Sequence, residues 1–441
     1  MSKAVKWLSL LLVLSLVLAG CANGGNGGNE SGSNESGANQ GGAAGSTEGS
    51  GEKIEITFIN GFTGGDGGYM KKITDGFNRS QDKYVVKEMQ EKDHYTKFKS
   101  GDYDLVMIRS SDLQTYKLDS LIQDIAPIMD KAGIKETDFH PAGVDLVKLD
   151  GAMYALPLDI HPLTMFYNKD LVAEAPTTYD QLVSLQKELQ AKDPGLYAMG
   201  VPSSGLVEFY MMTIAGQNGI NMASGNYLNF NQSEFADALL VFNRMIFKDK
   251  ISPAGLGLDG EFQSFMKEAK DANASVQSAV ALTGPWFYGA AKEKYADKLG
   301  VAPVPTLGGK PGAYGNSNTI AVPASVTDEQ KLEGIAAYLK YMFTPENLIN
   351  WADAGQAPVH KATMEMVTAN QDKYPLPYAN IQQFDTFIKA PQVYQFGEQM
   401  RFMNETVFSK IVTTENITKD EVMKLLEEAT GKAQQIAAAQ P

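Results

Sequence analysis

Cysteine is nearly absent from this chain. Of 441 residues only Cys21 carries a thiol, so no disulfide can staple the fold within the chain and Cys-based metal or redox chemistry is excluded. Histidine is scarce too: His94, His140, His161 and His360 are the full set, and no two stand at the spacing of a helical metal-binding pair. There is no His-Glu-x-x-His, no Gly-x-Ser-x-Gly and no Gly-Lys-Ser/Thr phosphate loop, so the best-known hydrolase and nucleotide-binding signatures are missing. Positive charge is in deficit, 38 Lys plus Arg against 52 Asp plus Glu, and no basic run stands out. Nucleic acid is therefore not expected as a partner. No internal repeat is visible, and no apolar run reaches the length expected of a membrane-spanning helix. No cofactor and no metal are expected.

What is present begins with the first twenty-one residues. Lys3 and Lys6 flank the start of an apolar run, Leu8 to Leu18, that ends in Leu18-Ala19-Gly20-Cys21. A charged start, a short apolar stretch and a small-residue cleavage site make a secretory signal over residues 1–20. The tetrapeptide resembles the bacterial lipobox, which implies acylation of Cys21 and a mature protein tethered to the outer face of the cell membrane by lipid. Residues 22–51 are nearly all Gly, Asn, Ser, Ala and Glu without a large apolar side chain, so they are expected to behave as a flexible spacer. A spacer of this length suits a Gram-positive surface.

From Lys53 onward run about 390 residues of ordinary globular composition, enough for two domains. Residues 54–60 form a β-rich run that breaks into a Gly-rich loop, followed by a helical period through Tyr69, Ile73 and Phe77. Residues 104–108 read as a buried strand opening into Arg109-Ser110-Ser111-Asp112, and residues 146–157 as a hairpin turning at Asp150-Gly151. This alternation predicts an α/β fold with mostly parallel sheets, whose ligands bind beyond the carboxyl ends of the strands. Loops 60–68 and 109–112 are then the first site candidates. One literal dinucleotide fingerprint occurs, Gly255-Leu256-Gly257-Leu258-Asp259-Gly260, but the segment before it is helical in period. It reads as a Gly-rich turn between helices.

Gly151-Ala152-Met153-Tyr154-Ala155-Leu156-Pro157 followed by Phe166-Tyr167-Asn168-Lys169-Asp170-Leu171 resembles the central signature of family 1 extracellular solute-binding proteins, which include the maltodextrin receptors of sugar ABC transporters. Ala175-Pro176-Thr177-Thr178-Tyr179-Asp180, Thr283-Gly284-Pro285-Trp286 and Ala302-Pro303-Val304-Pro305 agree with it in order. The resemblance implies a two-lobed periplasmic-binding-protein-like fold with a hinged cleft. It implies a first lobe of residues 53–159 plus 320–366, a second of 163–314 plus 371–441, and crossings near 159–161, 314–318 and 367–370.

A sugar offers vicinal hydroxyls and flat C–H faces, which planar polar side chains and aromatic rings can meet. By resemblance the sugar-stacking residue is Trp286. His161 falls where maltodextrin receptors carry a ligand-contacting Glu, and Asp159 either contacts ligand or orients His161. Further ligand candidates carried over are Phe62, Thr63 and Asp66; Arg109, Ser110, Ser111 and Asp112; Glu208, Phe209 and Tyr210; and Asn316 and Asn318. Gly397 stands where the family has a second stacking Trp, which leaves Tyr394 or Phe396 to compensate and α-glucan specificity open. No catalytic pair of carboxylates is identified. The expectation is a monomeric, lipid-anchored receptor that binds a carbohydrate, an oligosaccharide, by domain closure and delivers it to the permease subunits of an ABC transporter. The alternatives are the same fold holding a polyamine or another non-sugar solute, a surface adhesin without a transporter, or a secreted carbohydrate-active enzyme.

Overall fold

The computed structural model describes residues 53–441; the expected signal, Cys21 and the expected spacer lie outside the described residues. Strand Ile54–Asn60 is the β-rich run of the sequence, with Ile56, Phe58, Ile59 and Asn60 fully buried. Burial on both faces suits a central strand. It pairs in parallel with Tyr84–Gln90 on one side and Leu105–Arg109 on the other; Asn318–Ala321 and then Leu156–Pro157 complete a five-stranded sheet. A second sheet runs in the order Leu299–Ala302, Thr164–Asn168, Gln277–Thr283, Leu196–Met199.

Only three of the seven pairings in these two sheets are parallel, fewer than the alternation of strands and helices suggests. The reason lies in the connections. Each sheet contains one reversed strand, Asn318–Ala321 in the first and Thr164–Asn168 in the second, and each is the strand by which the chain arrives from the other sheet. One reversed strand inside a sheet makes two antiparallel pairings.

Each sheet has its own core. Phe58, Ile73, Phe77, Ile108, Leu156, Ile320, Leu339 and Trp351 pack around the first; Met165, Met199, Tyr210, Phe242, Val280, Leu282, Phe408 and Leu426 around the second. Fully burying such a side chain contributes about 1.5–3 kcal/mol, so both clusters are main contributors to the stability of the fold. Phe384, although it lies past residue 371, packs into the first core. Helix Gly67–Ser80 buries Met70, Ile73, Thr74 and Phe77, the three-and-four spacing of an amphipathic helix. Thr178 caps helix Tyr179–Lys192 by accepting from the Gln181 amide. The hairpin turns at Asp150 (φ 51°) and Gly151 (φ 88°), two consecutive left-handed residues that suit a tight two-residue turn. Residues 255–260 do join two helices, Ser233–Phe247 and Gly260–Phe265. Between the lobes a small sheet of Phe387–Ile388, Ala313–Asn316 and His161–Pro162 brings two crossing segments side by side. Among the described residues no helix is long and apolar enough to cross a membrane.

Candidate functional site

A cavity of about 610 Å³ opens where the two sheets face each other. The first lobe supplies Phe62, Lys92, His94, Tyr95, Arg109, Ser111 and Asp112; the second supplies Gly205, Leu206, Glu208, Phe209, Trp286 and Asn404; His161, Asn316 and Asn318 come from the crossing segments. Arg109 is the last residue of its strand and Trp286 follows strand Gln277–Thr283 by three residues. The wall is thus built at strand carboxyl ends, as open α/β sheets dictate.

Trp286 is 48% exposed, with Leu258 one of two large apolar side chains in that state among the described residues. Gly284 makes its position possible: a Cβ there would lie 2.2 Å from the indole ring. Phe209 and His161 stand edge-on to it, with ring centroids 6.3 and 6.5 Å away. The indole therefore presents a flat apolar surface to a cavity of mixed apolar and polar lining.

Beneath the cavity lies a knot of hydrogen bonds. Asp159 is fully buried; its Oδ1 accepts from His161 Nδ1 (2.9 Å) and the Asn318 amide (3.0 Å), and its Oδ2 accepts from Asn318 Nδ2 (2.8 Å) and Trp351 Nε1 (2.7 Å). Asn316 Oδ1 accepts from Ser110 Oγ (2.7 Å), and Asn316 Nδ2 donates to Ser111 Oγ (2.8 Å). Both crossing segments are tied to each other and to the first lobe, and His161 is held by its Nδ1 while its ring reaches the cavity wall.

Charges of both signs face the cavity. Arg109 Nε lies 3.7 Å from Asp112 Oδ2, and its side chain is 55% exposed. Burial pushes the Asp112 carboxyl up from its ordinary range while Arg109 draws it back. Burial likewise raises Glu208, opposed by the Tyr314 hydroxyl, which donates to Oε1 (2.8 Å), and by Arg109 across the cleft. His94, buried and 4.0 Å from the Tyr95 ring centroid, is pushed down by burial and then by Arg109, which favours the neutral imidazole. Each lining carboxylate is thus engaged by its own protein partner.

Of the residues singled out in the sequence, Trp286, His161, Phe62, Arg109, Ser111, Asp112, Glu208, Phe209, Asn316 and Asn318 converge on the cavity. Asp159, Ser110 and Tyr210 are buried behind it; the Tyr210 hydroxyl donates to the Leu282 carbonyl (2.9 Å). Thr63 is exposed outside the wall, and Asp66 sits beside it, its Oδ2 3.5 Å from Nε2 of Gln356, which does line the cavity. Gly397 borders the cavity with nothing within 4 Å of where a Cβ would be; Tyr394 is engaged by Asp119 (3.2 Å) and Phe396 reaches the wall with only 1% of its surface exposed.

Sequence reading misses Lys92, His94, Tyr95, Gln356 and Asn404. The first three follow strand Tyr84–Gln90, so the strand-end rule that identified the other two loops reaches them as well. Asn404 lies in a π-helical turn, Met403–Val407, whose wider period no 3.6-residue pattern reveals; its Nδ2 donates to Glu208 Oε2 (3.4 Å).

Residues 72–375 match the family described as bacterial extracellular solute-binding protein. The chain is 26% identical over 268 residues to the maltodextrin-binding protein MdxE of Bacillus subtilis, covering 57% of this chain and 60% of that protein. It is 24% identical over 326 residues to the multiple sugar-binding protein of Streptococcus mutans, covering 70% of this chain and 75% of that protein. Among solved structures, an ABC substrate-binding protein from Listeria monocytogenes in complex with cycloalternan superimposes with a TM-score of 0.70 at 19% identity, covering 87% of this chain and all of that one.

Proposed function

Because the chain belongs to the bacterial extracellular solute-binding proteins, we propose that it captures an extracellular oligosaccharide between its two lobes and delivers it to the membrane permease of an ABC transporter. The observation that carries this reading is Trp286, a half-exposed indole in a cavity whose other lining mixes aromatic side chains such as Phe62, Tyr95 and Phe209 with hydroxyl, amide, imidazole and charged groups. That combination suits a ligand with apolar C–H faces and many hydroxyls. The relatives named for maltodextrin and multiple sugars support it. Arg109 and Lys92 in the same wall disfavour a polyamine.

Capture makes and breaks no bond. Ligand held by Trp286, Phe209 and Glu208 on one lobe and by Arg109, Ser111 and Asp112 on the other stabilises the closed arrangement over the open one, and the lobes swing about the crossings. In this reading the lobes divide as residues 53–159 with 320–366 and 163–314 with 371–441, save the segment around Phe384 that packs on the first core, the protein acts as a monomer, and acylated Cys21 holds it at the extracellular face of the cell membrane. Titration calorimetry with α-1,4- and α-1,6-linked oligosaccharides and with spermidine tests the ligand: binding of at least one sugar series and none of spermidine is expected, and the reverse would overturn the reading. Labelling tests the anchor: wild type should sediment with membranes and incorporate labelled palmitate, whereas Cys21→Ser should take up no palmitate and escape acylation-dependent processing; equal palmitate in both would overturn it.

A further inference from the structure

The turn that carries Trp286 is gripped at both ends by neighbouring residues of one short helix. Helix Gly260–Phe265 packs on strand Gln277–Thr283, and Thr283, the last residue before the turn, donates its hydroxyl to Glu261 Oε1 (3.3 Å). On the far side, Phe262 stacks on Phe287, centroids 4.3 Å apart and planes 13° from parallel. The helix is in turn fastened to the following segment, Tyr288–Tyr295, by Tyr295 to the Phe265 carbonyl and Lys294 to the Met266 carbonyl. Gly284, Pro285 and Trp286 thus hang from a clamp made by Glu261 and Phe262.

Glu261 is an unusual jaw for such a clamp. Its side chain is fully buried, and Oε2 has no hydrogen-bond partner. The titratable groups facing it are Asp259 in the preceding turn and Tyr210 on helix Val207–Gln217; among the described residues no cation faces it. Ser264 and Ser278, close by, bond to each other (2.8 Å). Thr283 and neighbouring backbone amides favour the charged form, but burial outweighs them, and a carboxylate in this place would be a buried charge without a counter-ion, which the neutral acid avoids. We propose that Glu261 works in its protonated form as the clamp on the Trp286 turn, and that loss of this proton loosens the turn and weakens ligand capture under alkaline conditions. The inference rests on the sugar-stacking reading of Trp286 only for its last step.

Burial raises the Glu261 carboxyl to about 8. A group whose folded-state value is raised costs stability progressively as pH climbs from the ordinary carboxylate range to about 8, where the folded protein retains a proton that the unfolded chain has lost. Glu261→Gln keeps the shape of the acid and removes the titration, so its stability advantage over wild type should grow across that window.

Three readouts on the full chain test the proposal. Infrared difference spectra between wild type and Glu261→Gln should contain a protonated carboxylic acid band at neutral pH that fades on passing about pH 8; its absence at neutral pH would overturn the proposal whatever the variant does. Acrylamide should quench Trp286 more readily above that pH in wild type but not in Glu261→Gln. Affinity for whichever α-1,4- or α-1,6-linked oligosaccharide binds wild type should fall several-fold between about pH 7 and about pH 9.5, above the usual imidazole range, and stay nearly level in Glu261→Gln. An equal fall in both proteins would overturn it. If no sugar binds while the infrared and quenching changes occur as described, the proton-controlled clamp stands and the sugar reading falls.

Discussion

Two parts of the cleft use the same kinds of side chain to opposite ends. At the crossings, Asp159, Asn316, Ser110 and Asn318 bond chiefly to one another and to Trp351, and the knot they make is almost wholly buried. On the second-lobe wall, Trp286 lies half exposed, with aromatic edges beside it. Hydrogen-bonding capacity already satisfied within the protein fixes the hinge, while surface left without a protein partner is available to ligand. Residue type does not separate the two roles. His161 spans them, held at Nδ1 by Asp159 with its ring in the cavity wall.

The contrast can be broken most severely at the knot. Asp159→Ala would leave the donors of His161, Asn318 and Trp351 buried without an acceptor, and removing one member of such a network costs about 3–5 kcal/mol. Chemical denaturation of the ligand-free protein should reveal that loss; a variant of unchanged stability that merely binds worse would make Asp159 a ligand residue instead. Next in size is the platform. Trp286→Ala should weaken sugar binding by about tenfold or more, roughly 1.4 kcal/mol, while the ligand-free melting temperature barely moves. Tyr210→Phe sharpens the division: its hydroxyl serves the Leu282 carbonyl, so stability should drop by about 1 kcal/mol with affinity intact, as denaturation and calorimetry together would register. The smallest effect belongs to Gly397→Trp. The space there is open, so the variant should fold normally and bind a linear α-1,4 oligosaccharide a few-fold more tightly in calorimetry.

The same contrast explains what could be read in advance. Local patterns were legible: the buried strand at residues 54–60, the turn at Asp150-Gly151 and the Gly-rich turn between helices at residues 255–260 each depend on residues close in sequence. The knot was not, because Asp159 owes its role to Asn318 and Trp351, 159 and 192 positions away. Nor was the reversed strand in each sheet, which follows from where the chain crosses between lobes rather than from any strand's own composition. Tyr210 and Phe209 are adjacent in sequence, yet one points into the second core and the other at the cavity, a choice made by helix packing.

The central claim is that ligand covers the exposed indole of Trp286. Of the three tryptophans, Trp7 lies outside the described residues and Trp351 is fully buried, so Trp286 is the one described tryptophan open to the cavity. A fluorescence titration of wild type and Trp286→Phe against an oligosaccharide series measures this directly. A saturable change is expected in wild type, with Trp286 shielded from acrylamide as sugar is added, and near loss of that change in Trp286→Phe. An undiminished response in Trp286→Phe, with unchanged affinity, would contradict it.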